Sequence, residues 1–369
     1  MEEELVLTGE ERIQTELRAL YESRGYARYK MGKFEDYDLY YRNKDFLISD
    51  NIITFTDTNG KLKALKPDVT LSIVRSAGDV PRGVQKLYYN ENVYRVSGNT
   101  HVYREIMQIG LECMGEVDEF CIAETLVLAA ESLKRISPQW TLTVSHLGVV
   151  SDLLDRLGLT GEARAAAMRF VGSKNCHELL ELCAGEQCDM ALAETLAEVI
   201  CLHGTGGDVF PMLRKLGCDA GAAEQLERLS AVLAAAGIYE NVCFDFSMVS
   251  DMRYYNGIVF KGYIYGIPAG VLSGGQYDRL MKRMKRSSKA IGFAVYLDML
   301  DRLEESPPAY DVDYLLLYEP GADPAEVYRV SEGLRGHGSV MTAPAVPENL
   351  RYRKLVHFAE ERADRDGDA

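Results

Sequence analysis

An α+β fold built on an antiparallel sheet is predicted by three features of this sequence. Strand-like segments come early and late with a long helical stretch between them, and hairpin signals outnumber strand–helix–strand units. The most regular stretch, Lys86 to Gly115, reads as two strand runs flanking a polar loop at Ser97 to His101. Its second run alternates, so Met107, Ile109, Leu111 and Cys113 share one face. Arg104, Gln108 and Glu112 share the other, with Ile106 and Gly110 between them. Its apolar content places this strand deep in the sheet, where a guanidinium, an amide and a carboxylate are each costly to bury without partners. Such alternation marks either a site or an edge strand with a solvated face.

The remaining elements follow in order. Residues 4 to 24 have helical spacing, with Leu5, Ile13, Leu17, Leu20 and Tyr21 apolar and Gly25 as a stop. A strand is expected over Tyr26 to Phe34. Ile48 to Thr58 and Lys61 to Leu65 form a hairpin turning at Asn59-Gly60, and Pro67 opens a helix through Arg75 with Asp68 in its first turn. Val117 to Ile136 is an amphipathic helix, and Thr141 to Gly148 is a strand entering another.

From about Ser151 to Ile238 the chain is rich in Ala, Leu and Glu with helical periodicity, which reads as an all-α insertion. Within it Gly204-Thr205-Gly206-Gly207 lacks the Lys-Ser/Thr of a phosphate loop and reads as a helix-ending turn. Strand patterns return at Val242 to Phe246, Tyr254 to Tyr265 and Ala269 to Ser273. A turn at Gly274-Gly275 leads to a helix carrying the basic run Lys282, Arg283, Lys285, Arg286 and Lys289, then AIGFAVYLDML and a second helix. The basic run is either a solvated helix end or a patch for an anion or a partner. Pro307-Pro308 marks a linker, dividing the chain into a core over 1–306 and a short α/β piece over 309–369. That piece carries YLLLY (Tyr314 to Tyr318), a helix near Ala325 to Leu334 and a frayed tail, ADRDGDA.

The chain's 369 residues can bury a sizeable core. A net charge of -15 gives no general field that would attract a polyanion, which disfavours nucleic-acid binding. The eight cysteines form no CxxC pair and no His lies at zinc-ligand spacing, so no metal site is expected, and the cysteines read as buried hydrophobes or free thiols of a reducing, cytoplasmic compartment. The acidic N-terminus and the lack of a membrane-length apolar run indicate neither a signal peptide nor a spanning segment.

Polar groups fall where the local pattern is otherwise apolar at Asp68 and Thr70, Arg95 and Arg104, Gln108 and Glu112, and Tyr254 and Tyr255. Asp68, at a helix start, serves either the helix dipole or a ligand. A carboxylate with a hydroxyl suits an ammonium group, and Gln108 with Glu112 suits a small ring bearing N–H groups such as imidazole. On a strand, Tyr254 and Tyr255 would face opposite ways, putting at least one in the core.

LKPDVT, the VYR…VYREIMQIGLECMG pair, TLTVSHLG, RYYNGIVF and SGGQYD…AIGFAVYLDML together resemble the ordered motif series of the histidyl-tRNA synthetase catalytic core, from about Arg12 to Leu303. The resemblance implies a dimeric class II aminoacyl-tRNA synthetase-like fold, an antiparallel sheet flanked by helices, with a helical insertion. It implies that Asp68, Thr70, Gln108, Glu112, Tyr254 and Tyr255 line a histidine pocket, and that Arg95, which holds the ATP α-phosphate in that family, stands beside them.

The departures from that family carry the functional expectation. Met299 stands where synthetases place an arginine on the ATP tail, and Ser250 stands where the histidine-specific motif places its catalytic arginine. Arg253, an odd number of residues from Ser250, would point to the opposite face of an extended strand. Ser97 replaces an acidic residue, and Met31-Gly32 stand where the first motif has its proline. Each lost cation costs roughly 10²–10³ in rate, so two losses leave little adenylation. The C-terminal piece is also shorter than an ordinary anticodon-binding domain.

In its LKPDVT variant, missing arginines and curtailed C-terminus the sequence resembles one branch of the family, the regulatory subunits of ATP phosphoribosyltransferase. That implies a non-enzymatic protein without a cofactor, partnered with a short-form catalytic subunit in a hetero-oligomer of homodimers, with histidine as effector in the first step of histidine biosynthesis. A synthetase-like paralogue with residual ligase activity, a free-standing histidine or tRNA sensor, and a scaffold with a vestigial pocket are the other readings.

Overall fold

The computed structural model describes residues 9–44, 47, 52–77, 80, 82–96, 102–249, 254–303 and 309–359. It divides into two units, 1–303 and 304–369. Helix α1 (Gly9–Ser23) buries Ile13, Leu17, Leu20 and Tyr21, the stripe its spacing predicts, and Gly25 ends it at φ 80°, where a side chain would be strained. Leu5 and the tail lie outside the described residues. The strand expected over Tyr26 to Phe34 is instead two short ones in different sheets, β1 (Ala27–Arg28) and β2 (Phe34–Asp36), followed by a helix the sequence did not signal, α2 (Tyr37–Arg42).

The Asn59-Gly60 hairpin forms, with β3 (Thr54–Thr56) antiparallel to β4 (Leu62–Leu65), and β4 also pairs with β2. Asp57 Oδ1 fastens the turn by accepting from the Asn59 and Lys61 amides. Residues 48–51 of the expected first strand lie outside the described residues. Helix α3 spans Thr70–Ala77, three residues later than expected, after bends at Pro67 and Val69.

Strands β5 (Val84–Val96) and β6 (Tyr103–Gly115) pair antiparallel along their whole length. Helix α4 (Glu119–Ile136), capped by Asp118, leads to β7 (Trp140–His146) and α5 (Leu147–Arg156). The insertion continues through α6 (Gly161–Gly172), α7 (Cys176–Gly185), α8 (Met190–Cys201), a two-residue strand β8 (His203–Gly204), α9 (Gly206–Lys215) and α10 (Ala220–Ala235). Gly204 to Gly207 therefore opens a helix rather than ending one: Thr205 is the N-cap residue of α9, and the Gly206 amide donates to the Tyr239 hydroxyl.

The chain returns to the sheet with β9 (Val242–Asp245), β10 (Ile258–Ile264), β11 (Leu272–Gln276), a short helix α11 (Asp278–Arg283) and β12 (Lys289–Tyr296), before the 3-10 helix Leu297–Leu303. Gly274 and Gly275 lie within β11 and make no turn. A Cβ on Gly274 would meet the Phe260 ring at 2.5 Å and the Phe293 Cβ at 2.5 Å, so the pair is needed for close packing. The basic run is not on one helix either. α11 stops at Arg283, Lys285 takes φ 58°, and Lys289 begins β12.

The sheet order is β1-β5-β6-β12-β11-β10-β7-β9-β8, with antiparallel pairing from β5 to β7 and parallel pairing of β1 with β5 and of β7 with β9. The faces of β6 pack on different cores. Ile109, Leu111 and Cys113 join one shared with α1 and α4, where the Tyr21 hydroxyl meets Ser132 Oγ at 2.9 Å. Met114 joins a second, with α3, α11, Tyr89 and Tyr277.

In the second unit, β13 (Val312–Leu317), α12 (Pro324–Arg335), β14 (Val340–Ala343) and β15 (Tyr352–His357) form a parallel sheet of order β14-β13-β15 around Leu316, Val327, Val330, Val356 and Phe358. Among the described residues, no helix is long and apolar enough to cross a membrane.

Candidate functional site

Strand β6 brings two buried polar side chains to the second core, Gln108 and Glu112. Glu112 is held at both oxygens: the Thr70 hydroxyl donates to Oε1 at 2.6 Å and the Tyr277 hydroxyl to Oε2 at 2.6 Å. These partners come from the start of α3 and from the residue before α11, so three segments meet at one carboxyl. Burial pushes the Glu112 carboxyl up to about 8, against the two hydroxyls, which favour its ionised form. Buried Asp68 adds a like charge that raises it further.

Asp68 fills the first of its two alternatives, a role at the helix start. Its Oδ1 accepts from the Leu71 amide at 2.8 Å, capping α3, while its carboxyl also contributes to the field at Glu112 and Tyr254. Burial raises its pKa, opposed by that amide and by the nearby Arg95 guanidinium. Arg95 in turn donates from Nε to the Pro67 carbonyl at 3.1 Å, fixing it to the LKPDVT segment. Within that segment Lys66, 1% exposed, pairs with Glu91 at 2.5 Å. Arg104 sits opposite Arg95 in register but is exposed, away from the buried part of the strand.

Tyr254 and Tyr255 precede β10 rather than lying on it, which corrects the expectation that they face opposite ways. Their rings meet edge to face at 4.6 Å, and Tyr254 also lies 5.9 Å from the Tyr277 ring. Thr70, Glu112, Tyr254 and Tyr277 thus form one connected wall. Tyr277, Tyr89 and Gly292 were not singled out from sequence. The Tyr89 hydroxyl lies 2.6 Å from where a Cβ on Gly110 would fall, and burial, with the Glu112 and Asp68 charges nearby, raises its pKa well above the ordinary value. A buried Tyr following Gly-Gly, inside a motif already noted, was the available signal. Of the two positions expected to lack a catalytic arginine, Met299 packs partly buried against the apolar core, and Ser250 lies outside the described residues.

A buried wall of hydroxyls, an amide and two carboxyls, with one guanidinium alongside, can take a small polar ligand that offers N–H groups or a positive charge. Among the described residues, no group of three or more His, Cys, Asp or Glu is placed to hold a metal ion.

The sheet order and the connected site define the class, a class II synthetase-like fold. Residues 7–300 match the family model described as histidyl-tRNA synthetase. A relative from Caldanaerobacter subterraneus named ATP phosphoribosyltransferase regulatory subunit is 30% identical over 78% of this chain and 76% of its own length. A solved structure from Bacillus halodurans, titled as an ATP phosphoribosyltransferase regulatory subunit/histidyl-tRNA synthetase, aligns over 95% of this chain and 93% of its own with a TM-score of 0.78 at 24% identity. The ATP phosphoribosyl transferase (HisG:HisZ) complex from Thermotoga maritima contributes a chain that aligns over 78% of this chain and 97% of its own, with a TM-score of 0.63 at 19% identity. This chain belongs to the histidyl-tRNA synthetase family and, within it, to the group of ATP phosphoribosyltransferase regulatory subunits.

Proposed function

We propose that this chain is a non-catalytic subunit of ATP phosphoribosyltransferase, which assembles as a homodimer with a short-form catalytic subunit and conveys feedback by histidine. The observation that carries this reading is a fully built polar wall in a chain whose Met299 packs on the other, apolar core. Glu112, Thr70 and Tyr277 are bonded together and buried, while Met299 offers a thioether packed on the apolar core. Ligand-type groups without the cations of adenylate formation suit binding rather than catalysis.

In this reading Glu112 and Gln108 take the imidazole, while Asp68 and Thr70 take the α-ammonium. Thr70 suits that role because its hydroxyl donates to Glu112 and keeps acceptor capacity on its oxygen, which Tyr254 also contacts. Tyr254 and Tyr255 wall the ring, and Arg95 offers a cation to the ligand's carboxylate. The coupling is allosteric provided histidine binds the active and inhibited assemblies with different affinity.

The test is ATP phosphoribosyltransferase activity of the short catalytic subunit from the same organism, with and without this chain and titrated with histidine. Activity that appears with the chain and falls with histidine supports the reading. Activity indifferent to the chain overturns it.

A further inference from the structure

Cys176 and Cys201 face each other with Sγ atoms 3.3 Å apart. They sit at the first residue of α7 and the last residue of α8, so the pair closes the open end of that helical hairpin. Its environment differs from that of the other close thiols. Cys113 and Cys121 interact but are both buried, and Cys183, which interacts with Cys188, is buried as well. Cys201 is exposed and Cys176 half-buried, so this pair joins two sulfurs already in contact with access from solvent. The Cys176 thiol also contacts the Ala197 carbonyl at 3.6 Å, which orients it along α8 toward its partner.

We propose that Cys176 and Cys201 are a reversible oxidation site that forms an intramolecular disulfide on exposure to a peroxide. Cys201, the accessible member, attacks one peroxide oxygen as the thiolate; the O–O bond breaks, the distal oxygen leaves as hydroxide, and Cys201 becomes a sulfenic acid. Cys176, whose pKa is raised by burial and by the neighbouring Cys201, acts second. Its thiolate attacks the sulfenic sulfur, the S–S bond forms, and the S–O bond breaks with loss of hydroxide. The two thiol protons end on the two hydroxides, so two thiols and one hydrogen peroxide give one disulfide and two waters. A small dithiol reverses the step by exchange. The disulfide ties α7 to α8 across the 25 positions that separate the two cysteines and leaves the polar wall around Glu112 untouched.

The experiment treats the full chain with hydrogen peroxide at a few molar equivalents, then counts thiols after denaturation and maps disulfide-linked peptides by mass spectrometry. Two of the eight thiols should be lost, the linked peptides should contain Cys176 and Cys201, and a dithiol should restore both. Hydrogen exchange in the first turn of α7 and the last turn of α8 should slow in the oxidised protein. Cys201→Ser, an exposed and isosteric change, should keep all its remaining thiols after the same brief treatment and show no linked peptide. Cys176→Ser should leave Cys201 as a sulfenic acid that a dimedone-type reagent captures. Retention of all eight thiols in the wild type, linkage through any other pair, or covalent dimers in place of the internal bond would overturn the proposal.

Discussion

Glu112 and Gly292 face each other across β6 and β12, so closely that a Cβ on Gly292 would lie 1.8 Å from Glu112 Oε2 and 2.4 Å from the Leu111 carbonyl. The glycine makes the space that the buried carboxyl occupies, and Tyr277 then reaches the same oxygen.

Gly292→Ala should therefore displace the Glu112 carboxyl and break its bond to Tyr277. Overpacking of this kind costs about 1–3 kcal/mol, and here the atoms in the way are a carboxylate and a backbone carbonyl, which cannot both yield. Urea unfolding should show that loss, and histidine inhibition of the assembled complex should disappear with it. Undiminished stability and inhibition would mean that the two strands separate more readily than this packing allows.

Tyr277→Phe removes one of the two hydroxyl donors to Glu112 and leaves the ring against Tyr254. The expected cost is about 1–3 kcal/mol, the penalty for leaving a buried acceptor without its partner. Half-inhibition should need correspondingly more histidine, while support of the catalytic subunit is retained. A variant that loses both together would place Tyr277 in the assembly rather than in the response.

Lys66→Ala removes the LKPDVT lysine that pairs with Glu91. Breaking a buried pair from one side typically costs about 3–5 kcal/mol, and Glu91, 16% exposed, places this pair at the lower end of that range. The double variant Lys66→Met with Glu91→Leu should recover most of that loss, since desolvation offsets much of the attraction. Chemical denaturation of the three proteins decides it: equal losses in the single and double variants would show the pair to be net stabilising.

The sequence carried the parts of this fold that depend on local pattern. The two faces of β6, the Asn59-Gly60 hairpin and the apolar stripe of α1 each follow from residues a few positions apart, and each appears where the spacing put it. What it misread depends on distant neighbours. Gly274-Gly275 reads locally as a turn, yet it is strand because Phe260 and Phe293 press on it from adjoining strands. Tyr277 meets a carboxyl 165 positions away, and a periodicity argument has no access to such a contact. The basic run looks helical until Lys285, whose positive φ ends the regularity. The site is legible in the same proportion: Gln108 and Glu112 stand out as polar residues on an apolar strand, whereas the groups that set Glu112's chemistry do not.

Glu112 also makes a pH prediction with two signs that can be separated. Its carboxyl titrates at about 8 in the folded chain, against an ordinary value of 4.5, so folding takes up a proton between those limits. The contribution of this group to stability is therefore fullest below pH 4.5 and declines as pH rises toward 8, by a few kcal/mol. Glu112→Gln mimics the protonated form and does not titrate, so its melting temperature should gain on the wild type as pH rises from 5 to 8. Ligand binding runs the other way. N–H groups of histidine favour the ionised carboxylate, which below pH 8 is the minor form, and apparent affinity falls with the fraction present. Histidine affinity should accordingly rise up to about tenfold per pH unit between 6 and 8 and level off above. Titration calorimetry in buffers of different ionisation enthalpy should register proton release on binding at pH 7. A flat affinity profile with no proton release would remove Glu112 from the contact with the ligand, even where the stability profile behaves as expected.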